Sequence, residues 1–432
     1  MTPGSRSHAA SSAADATSPR RSRNPFRVLA RHRQYRIFWT GQTLSLIGSW
    51  MQTMAVGWLS LQLSNSALVV GLVASAAAIP VVLLSMHGGA LVDHGNKLRW
   101  VRLTQSTFLA QALVLWGITA TGYVSIPWLL ALQFIQGVAS AIEIPARQSL
   151  MIELVGREDL QPAIALNSSG FNLARVIGPA IGGLVISRLG LAWCFALNAV
   201  SFVAVLIGVF RIHPPFAPPP AAPVPLAVLL GRSTQGAIDG VRYLMRRGPV
   251  RDLLLLVTIG SLFGGPFLTL MPVMARDTLH LDADGYGALL AVLGVGGLGG
   301  ALLVAGPLAH RPRKGSALLA AAIAFPALLF AFAVTSHPVL VWPLLFLTGI
   351  AMIAFNALSN GVLQLLVDEA YRGRLMAFYS LVFIGLSQAV GGVTLGALAR
   401  WAGAPAAIAG SASILLVAAL ATWRRATFWR RV

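Results

Sequence analysis

Twelve long apolar runs separated by short polar links constrain this chain more than any motif. They fall at 37–62, 67–91, 100–121, 126–146, 162–187, 191–210, 252–275, 285–309, 316–335, 338–364, 375–399 and 404–423. Each approaches or exceeds the roughly 20 residues that a helix needs to cross a bilayer. In lipid every backbone N–H and C=O must be satisfied within the segment, so runs of this kind fold as helices. A water-soluble alternative fails on surface chemistry. Only 10% of the 432 residues are charged and 56% are hydrophobic, whereas a soluble domain is roughly a quarter charged. The expected fold is an all-α polytopic membrane protein with twelve transmembrane helices, and membrane lipid is its implied surrounding.

The charges set the expected orientation. The formal net charge is +19, a balance that nucleic-acid-binding proteins also show. Here the cations cluster between apolar runs, at 20–36, 97–102, 242–251, 311–314 and 424–431. With the N-terminus inside, only Arg188, Arg276 and Arg400 fall outside and Arg175 falls within a span. The other 28 of 32 Lys and Arg lie in the tail or the inside links. This bias predicts both termini on the cytoplasmic face and argues against a nucleic-acid partner.

The chain divides in two. Residues 1–36 form a Ser-, Ala- and Arg-rich tail, 37–211 a first six-helix half, 212–251 a linker, 252–423 a second six-helix half, and 424–432 a basic tail. Seven prolines between Pro214 and Pro225 predict an extended, flexible start to the linker. Internal repetition supports the division. Gly89 is followed by Asp93 and Lys97, and Gly306 by His310, Arg311, Arg313 and Lys314, each group after the second span of its half. The halves are therefore expected to be pseudo-symmetric, as in transporters built from parallel six-helix repeats.

Several chemistries are excluded. The single cysteine, Cys194, permits neither an internal disulfide nor a multi-cysteine metal site. Gly294, Gly296 and Gly299 fit G-x-G-x-x-G, but inside an apolar helix with no preceding strand, and read as a close-packing face. There is no G-x-x-x-x-G-K-[ST], no G-x-S-x-G and no H-E-x-x-H. No cofactor, metal or catalytic residue is implied.

At these repeated loops the chain resembles the major facilitator superfamily, and within it the bacterial branch of drug and siderophore exporters. The resemblance runs from about Phe26 to Trp423. Gly89, Asp93 and Lys97, with Arg99 beside them, match the superfamily's loop after the second helix. His94 stands where Arg is usual, and Asn96 where Gly is usual. The resemblance implies that this loop and its second copy, Gly306, Arg311, Arg313 and Lys314, act as conformational latches between the halves. Gly178, Pro179, Gly182 and Gly183 match the core of the antiporter motif in the fifth helix. The stretch from Glu143 to Gln148, residues 157–175 and Arg372–Arg374 also match the branch. One departure concerns coupling. Gln133 stands where many drug–proton antiporters carry an arginine in the fourth helix.

Charges inside spans are costly, about 2.5–3.5 kcal/mol each at the bilayer centre on insertion scales. Arg175 lies midway along the fifth span, and Glu143 and Arg147 lie near the inner end of the fourth. At i and i+4, Glu143 and Arg147 can face each other. Arg175 is a candidate to meet an anionic substrate, with Glu143 or Asp93 as candidate protonatable groups. An ion-pair network locking the fourth and fifth helices is the alternative. Gln42, Trp50, Gln52, Trp58, Asn172, Asn356 and Gln388 are candidate cavity residues that serve equally as packing or interhelical bonds. The link with Arg276, Asp277, Asp282 and Asp284 reads as a solvated connection. The resemblance implies a monomeric, inner-membrane secondary transporter that exports small amphipathic molecules by alternating access, with protons as coupling ion. An importer on the same fold, a non-transporting sensor and a membrane enzyme are the rivals.

Overall fold

The structure, a computed structural model, describes residues 26–216, 248–309, 314–335, 337–368, 371, 375, 379 and 381–424. Most of the linker, Arg311, Arg313, residues 372–374 and most of both tails lie outside the described residues. After a single turn at Arg27–Arg31 come α1 (Arg33–Ser64), α2 (Ala67–His94), α3 (Lys97–Ala120), α4 (Ile126–Val155), α5 (Leu160–Leu189) and α6 (Leu191–Phe210). The second half holds α7 (Gly248–Thr278), α8 (Ala283–Ala305), α9 (Lys314–Val334), α10 (Pro338–Leu366), α11 and α12 (Ala404–Arg424). Helix α11 is a π-helical stretch, Leu381–Gly391, that runs into an α-helix, Gly392–Ala402. A further π-helical turn, Gly260–Gly264, interrupts α7.

Among the described residues nine helices are long and apolar enough to cross a membrane by length and composition alone. Helices α1, α3 and α11 complete the twelve. The first two carry basic first turns and buried amides, such as Gln52 and Gln111, that dilute their apolar character. Several helices outrun their apolar runs at the basic end of the bundle, where the tails and the 94–97 link lie. Helix α4 continues through Pro145 to Val155.

Local chemistry sets the turns. The Asn96 side chain accepts from the Arg99 N–H at 3.0 Å and caps α3. Glycine at this position would supply no such acceptor. At the opposite end, one residue each links α5 to α6 and α11 to α12. These are Gly190 (φ 93°) and Gly403 (φ 82°), in a backbone region that disfavours side chains.

Packing repeats from half to half. Helix α2 lies on α4 as α8 lies on α10, and α1·α5 and α3·α6 recur as α7·α11 and α9·α12. Between the halves α2 crosses α11 and α5 crosses α8. A shift of six helices exchanges these two crossings, as pseudo-two-fold symmetry requires. Lipid supplies little hydrophobic drive for helix association, so small residues carry these seams. A side chain at Gly137 would run into the Ala77 carbonyl on α2. One at Gly296 would run into the Phe346 carbonyl on α10.

The close crossings between halves run from the opposite end to the middle. Gly396 meets Ala67, Gly71 meets Gly392, and Gly385 meets Val82. Gly183 meets Ala283 and Asp284, and Gly294 meets Val176. One hydrophobic cluster joins Met54, Trp58, Leu61 and Val70 to the second half at the opposite end. Among the described residues, the cluster at the basic end, around Tyr35, Phe38, Val101, Leu154 and Leu166, draws on the first half alone.

Candidate functional site

The antiporter-like motif is a two-sided joint. Gly178 and Gly182 press on α1, where added side chains would meet Ile47, Trp50, Met51 and Met54. Gly183, on another face, presses on α8. There a Cβ would lie 2.9 Å from the Asp284 Cα. Gly287 of α8 in turn abuts the Pro179 carbonyl. The motif therefore packs α5 within its own half and across the seam at once. Helix α11 repeats the device, with Gly391 against Pro266 of its own half and Gly396 against Ala67 of the other.

Arg175 lies between those two faces. At about 100° per residue it sits some 60° round α5 from Gly178, toward the α8 side. It is half-buried, and among the described residues its guanidinium has no hydrogen-bond or ion-pair partner. One turn away, Phe171 meets Trp50 of α1 edge-on, with ring centroids 5.7 Å apart and planes at 73°. An unpaired cation one helical turn from an aromatic pair suits an anionic, partly apolar ligand. Asn172, on the same helix, donates to its own Ser168 carbonyl at 2.9 Å.

Glu143 and Arg147 lie one turn apart on α4 but form no ion pair within 4.0 Å. The Glu143 carboxylate instead accepts from the Thr104 hydroxyl and, at 2.8 Å, from the Gln105 amide, both on α3. Arg147 Nε and Nη1 are buried without a partner. The carboxyl thus joins α3 to α4 inside the first half.

Gln52 also lies inside the half, 3% exposed. It donates to Gln111 at 2.9 Å and accepts from Asn198 at 2.8 Å. Gln111 reaches Gln136 at 3.4 Å, and Ser201 donates to Asn198. Five polar side chains from α1, α3, α4 and α6 form one buried network. The sequence reading missed Gln111, Asn198 and Ser201, because a polar residue in a span does not reveal which helix it will face. Gln42 is 6% exposed, and its side-chain oxygen has no partner. Asn356 accepts from the Tyr379 hydroxyl at 3.1 Å through its backbone. Gln388 binds Thr269 and Ser75, on α7 and α2.

Among the described residues, no hydrogen bond or ion pair joins Asp93, Lys97 or Arg99 to the second half. Lys97 meets Glu153 of α4 at 3.7 Å and the Asp93 carbonyl at 3.3 Å. The Asp93 carboxylate is exposed and unpartnered among the described residues, and Arg99 is exposed. A cavity of about 380 Å³ lies beside Lys97, Glu153, Arg157 and Phe216. Of the second copy, Gly306 and Lys314 are described.

The opposite end is tied across the seam. Trp58 of α1 stacks on Tyr286 of α8, ring centroids 5.7 Å apart. Arg276 reaches Asn65 and the Leu61 carbonyl of the first half. The 276–284 link is therefore a clasp as well as a solvated connection.

Two six-helix halves related by a pseudo-two-fold, crossing at α2·α11 and α5·α8, define a membrane transporter of the major facilitator fold. Residues 24–427 match the transmembrane secretion effector family of that superfamily, and the chain belongs to it. The chain is 26% identical over 376 residues to an enterobactin exporter of Shigella flexneri, covering 86% of each chain. It is 24% identical over 269 residues to a staphyloferrin A transporter of Staphylococcus aureus. That match covers 60% of this chain and 64% of the relative, so the chain spans less than two thirds of it. Among solved structures, a peptide transporter superposes with a TM-score of 0.72 at 14% identity, covering 95% of this chain and 99% of that one. A D-xylose–proton symporter superposes with a TM-score of 0.65 at 15% identity, covering 90% and 97%. The protein is thus a membrane transporter of that family and not an enzyme. The structural likenesses establish the fold and leave direction open.

Proposed function

We propose that this protein exports small anionic amphipathic molecules of siderophore type from the cytoplasm, by alternating access and at the expense of a proton gradient. The observation that carries the reading is the unpaired Arg175, one turn from the Phe171–Trp50 pair, on the face of α5 between its two joints. A cation kept in a span without a partner needs a role, and a transient anionic ligand supplies one. The export direction follows the siderophore exporters to which the chain is similar.

The basic end is the cytoplasmic one, because it carries nearly all the Lys and Arg. The opposite end, where Arg276, Trp58 and Tyr286 tie the seam, is then the closed outer gate. Outward opening separates that seam and brings the basic ends together, where Asp93 and Lys97 engage the second half. Monomers suffice, since one chain holds both halves around the site. Coupling to a charge moved through the membrane potential is worth about 2.3 kcal/mol per 100 mV. At 1.4 kcal/mol per tenfold, that sustains roughly a forty-fold gradient.

Inside-out vesicles with an imposed proton gradient test this directly. Labelled enterobactin and staphyloferrin A are expected to accumulate in vesicles carrying the wild type and not in those carrying Arg175→Ala. Equal accumulation with and without the protein would sink the export reading. Gradient-independent accumulation would remove the proton.

A further inference from the structure

Gln388 joins three helices and both halves. Its side-chain oxygen accepts from the Thr269 hydroxyl of α7 at 3.3 Å, and its backbone carbonyl accepts from the Ser75 hydroxyl of α2 at 2.8 Å. Ser75 is 1% exposed, so its bond to the other half is sealed. Gln388 itself is half-buried, and its amide nitrogen has no partner among the described residues. One end of the amide is therefore held and the other is open to a ligand.

The backbone here is irregular in a way the first half does not repeat. Gln388 lies in the π-helical Leu381–Gly391, which packs on the π-helical turn of α7. Gly265 approaches Ser387, and Gly391 approaches Pro266. The corresponding first-half helices, α1 and α5, are α-helical along their full length. Widened turns of this sort occur mostly at functional sites. They lie beside the close crossing of α2 and α11, where a side chain at Gly392 would meet Ser75 at 3.3 Å and Thr269 at 3.7 Å.

We propose that Gln388 is the positioning residue that couples a ligand bound between the halves to the α2·α11 seam. This coupling deepens the exporter reading and rests on it. A ligand oxygen accepting from the Gln388 amide nitrogen draws the side chain toward it and away from Thr269, whose bond to the amide oxygen otherwise fixes it. Turning the side chain shifts the π-helical backbone whose carbonyl holds Ser75. A ligand that offers carbonyl or carboxylate oxygens thereby loosens the seam and favours opposite-end opening.

The test reads seam opening in the full chain in lipid vesicles. Cys194→Ser removes the native thiol, and Ala67→Cys places one at the closed end of the α2·α11 seam, where Gly396 meets it. Labelling by an impermeant maleimide is followed with and without enterobactin. Thr269→Val and Gln388→Leu are each expected to raise the basal labelling rate at least threefold and to cut the response to enterobactin at least fivefold. Ser75→Ala is expected to raise the basal rate and to blunt the response, because the bond that the ligand loosens is already absent. If both side-chain variants label and respond as the wild type does, the proposal is overturned. It is equally overturned if they raise the basal rate and keep the full response. A wild type that accumulates enterobactin in vesicles but shows no labelling response to it overturns the coupling and leaves the exporter reading standing; one that neither accumulates it nor responds overturns both.

Discussion

Arg276 of α7 donates to the Asn65 side chain of the first half at 2.8 Å and to the Leu61 carbonyl at 3.4 Å. Asn65 can meet it because it ends α1 in the left-handed region (φ 49°), which turns its side chain out of the helix. The clasp closes the end of the bundle at which Trp58 stacks on Tyr286. Loops at this end are therefore part of the gate.

Removing the clasp is expected to favour the outward-open state. A hydrogen bond of this sort contributes about 0.5–1.5 kcal/mol net, which changes a two-state ratio roughly two- to tenfold. Arg276→Ala should shift spin-label distances across the α1·α7 end toward longer separations by that ratio. Unchanged distance distributions would show that Arg276 does no gating.

The α5·α8 joint predicts a steric effect in the same direction. Gly183→Val places a branched side chain where a Cβ already lies 2.9 Å from the Asp284 Cα. The backbone there cannot yield, so the closed opposite end is disfavoured. Transport should fall at least tenfold while the protein still elutes as a folded species. Wild-type flux from this variant would mean that close approach of α5 and α8 is not required in the cycle.

The buried amide network makes a stability prediction that transport does not share. Gln52→Leu leaves Gln111 and Asn198 without their partner. Leaving buried polar groups unpaired costs about 1–3 kcal/mol. The midpoint of thermal unfolding, followed by fluorescence-detected gel filtration, should drop by several degrees. Substrate affinity below that temperature should not change, because Gln52 faces the helices of its own half. A large loss of affinity with unchanged stability would place Gln52 in the cavity.

How far these features could be read from the residues depends on their range. Spans, tails and loop polarity follow from runs of 20 or so residues, and the sequence shows them directly. The glycines of α5 announce close packing, but not that Gly178 and Gly183 serve different partners. That distinction needs the neighbouring helices. The Arg276 clasp joins residues 211 positions apart, and nothing local to either predicts it. Glu143 and Arg147 had the right spacing for a pair. Spacing fixes only the helix face, and Thr104 and Gln105 of α3 offered the carboxylate better-placed donors. The π-helical turns of α7 and α11 lie in runs rich in Gly and Ser, but such runs are common in regular membrane helices too.

Arg175 carries the sharpest functional prediction. Its guanidinium has no described partner, so Arg175→Ala breaks no bond and removes a cation that costs about 2.5–3.5 kcal/mol to hold at the bilayer centre. Thermal stability should stay the same or rise. Flux of a carboxylate or catecholate substrate should fall at least tenfold, because a charge-assisted, two-pronged contact is lost. Arg175→Lys should recover only part of it, since an ammonium keeps the charge but not the planar fork. A neutral macrolide tested in the same vesicles should be moved as well by Arg175→Ala as by the wild type. A variant that loses stability and every substrate together would mark Arg175 as structural, and selective loss of anionic substrates would mark it as the residue that reads the ligand's charge.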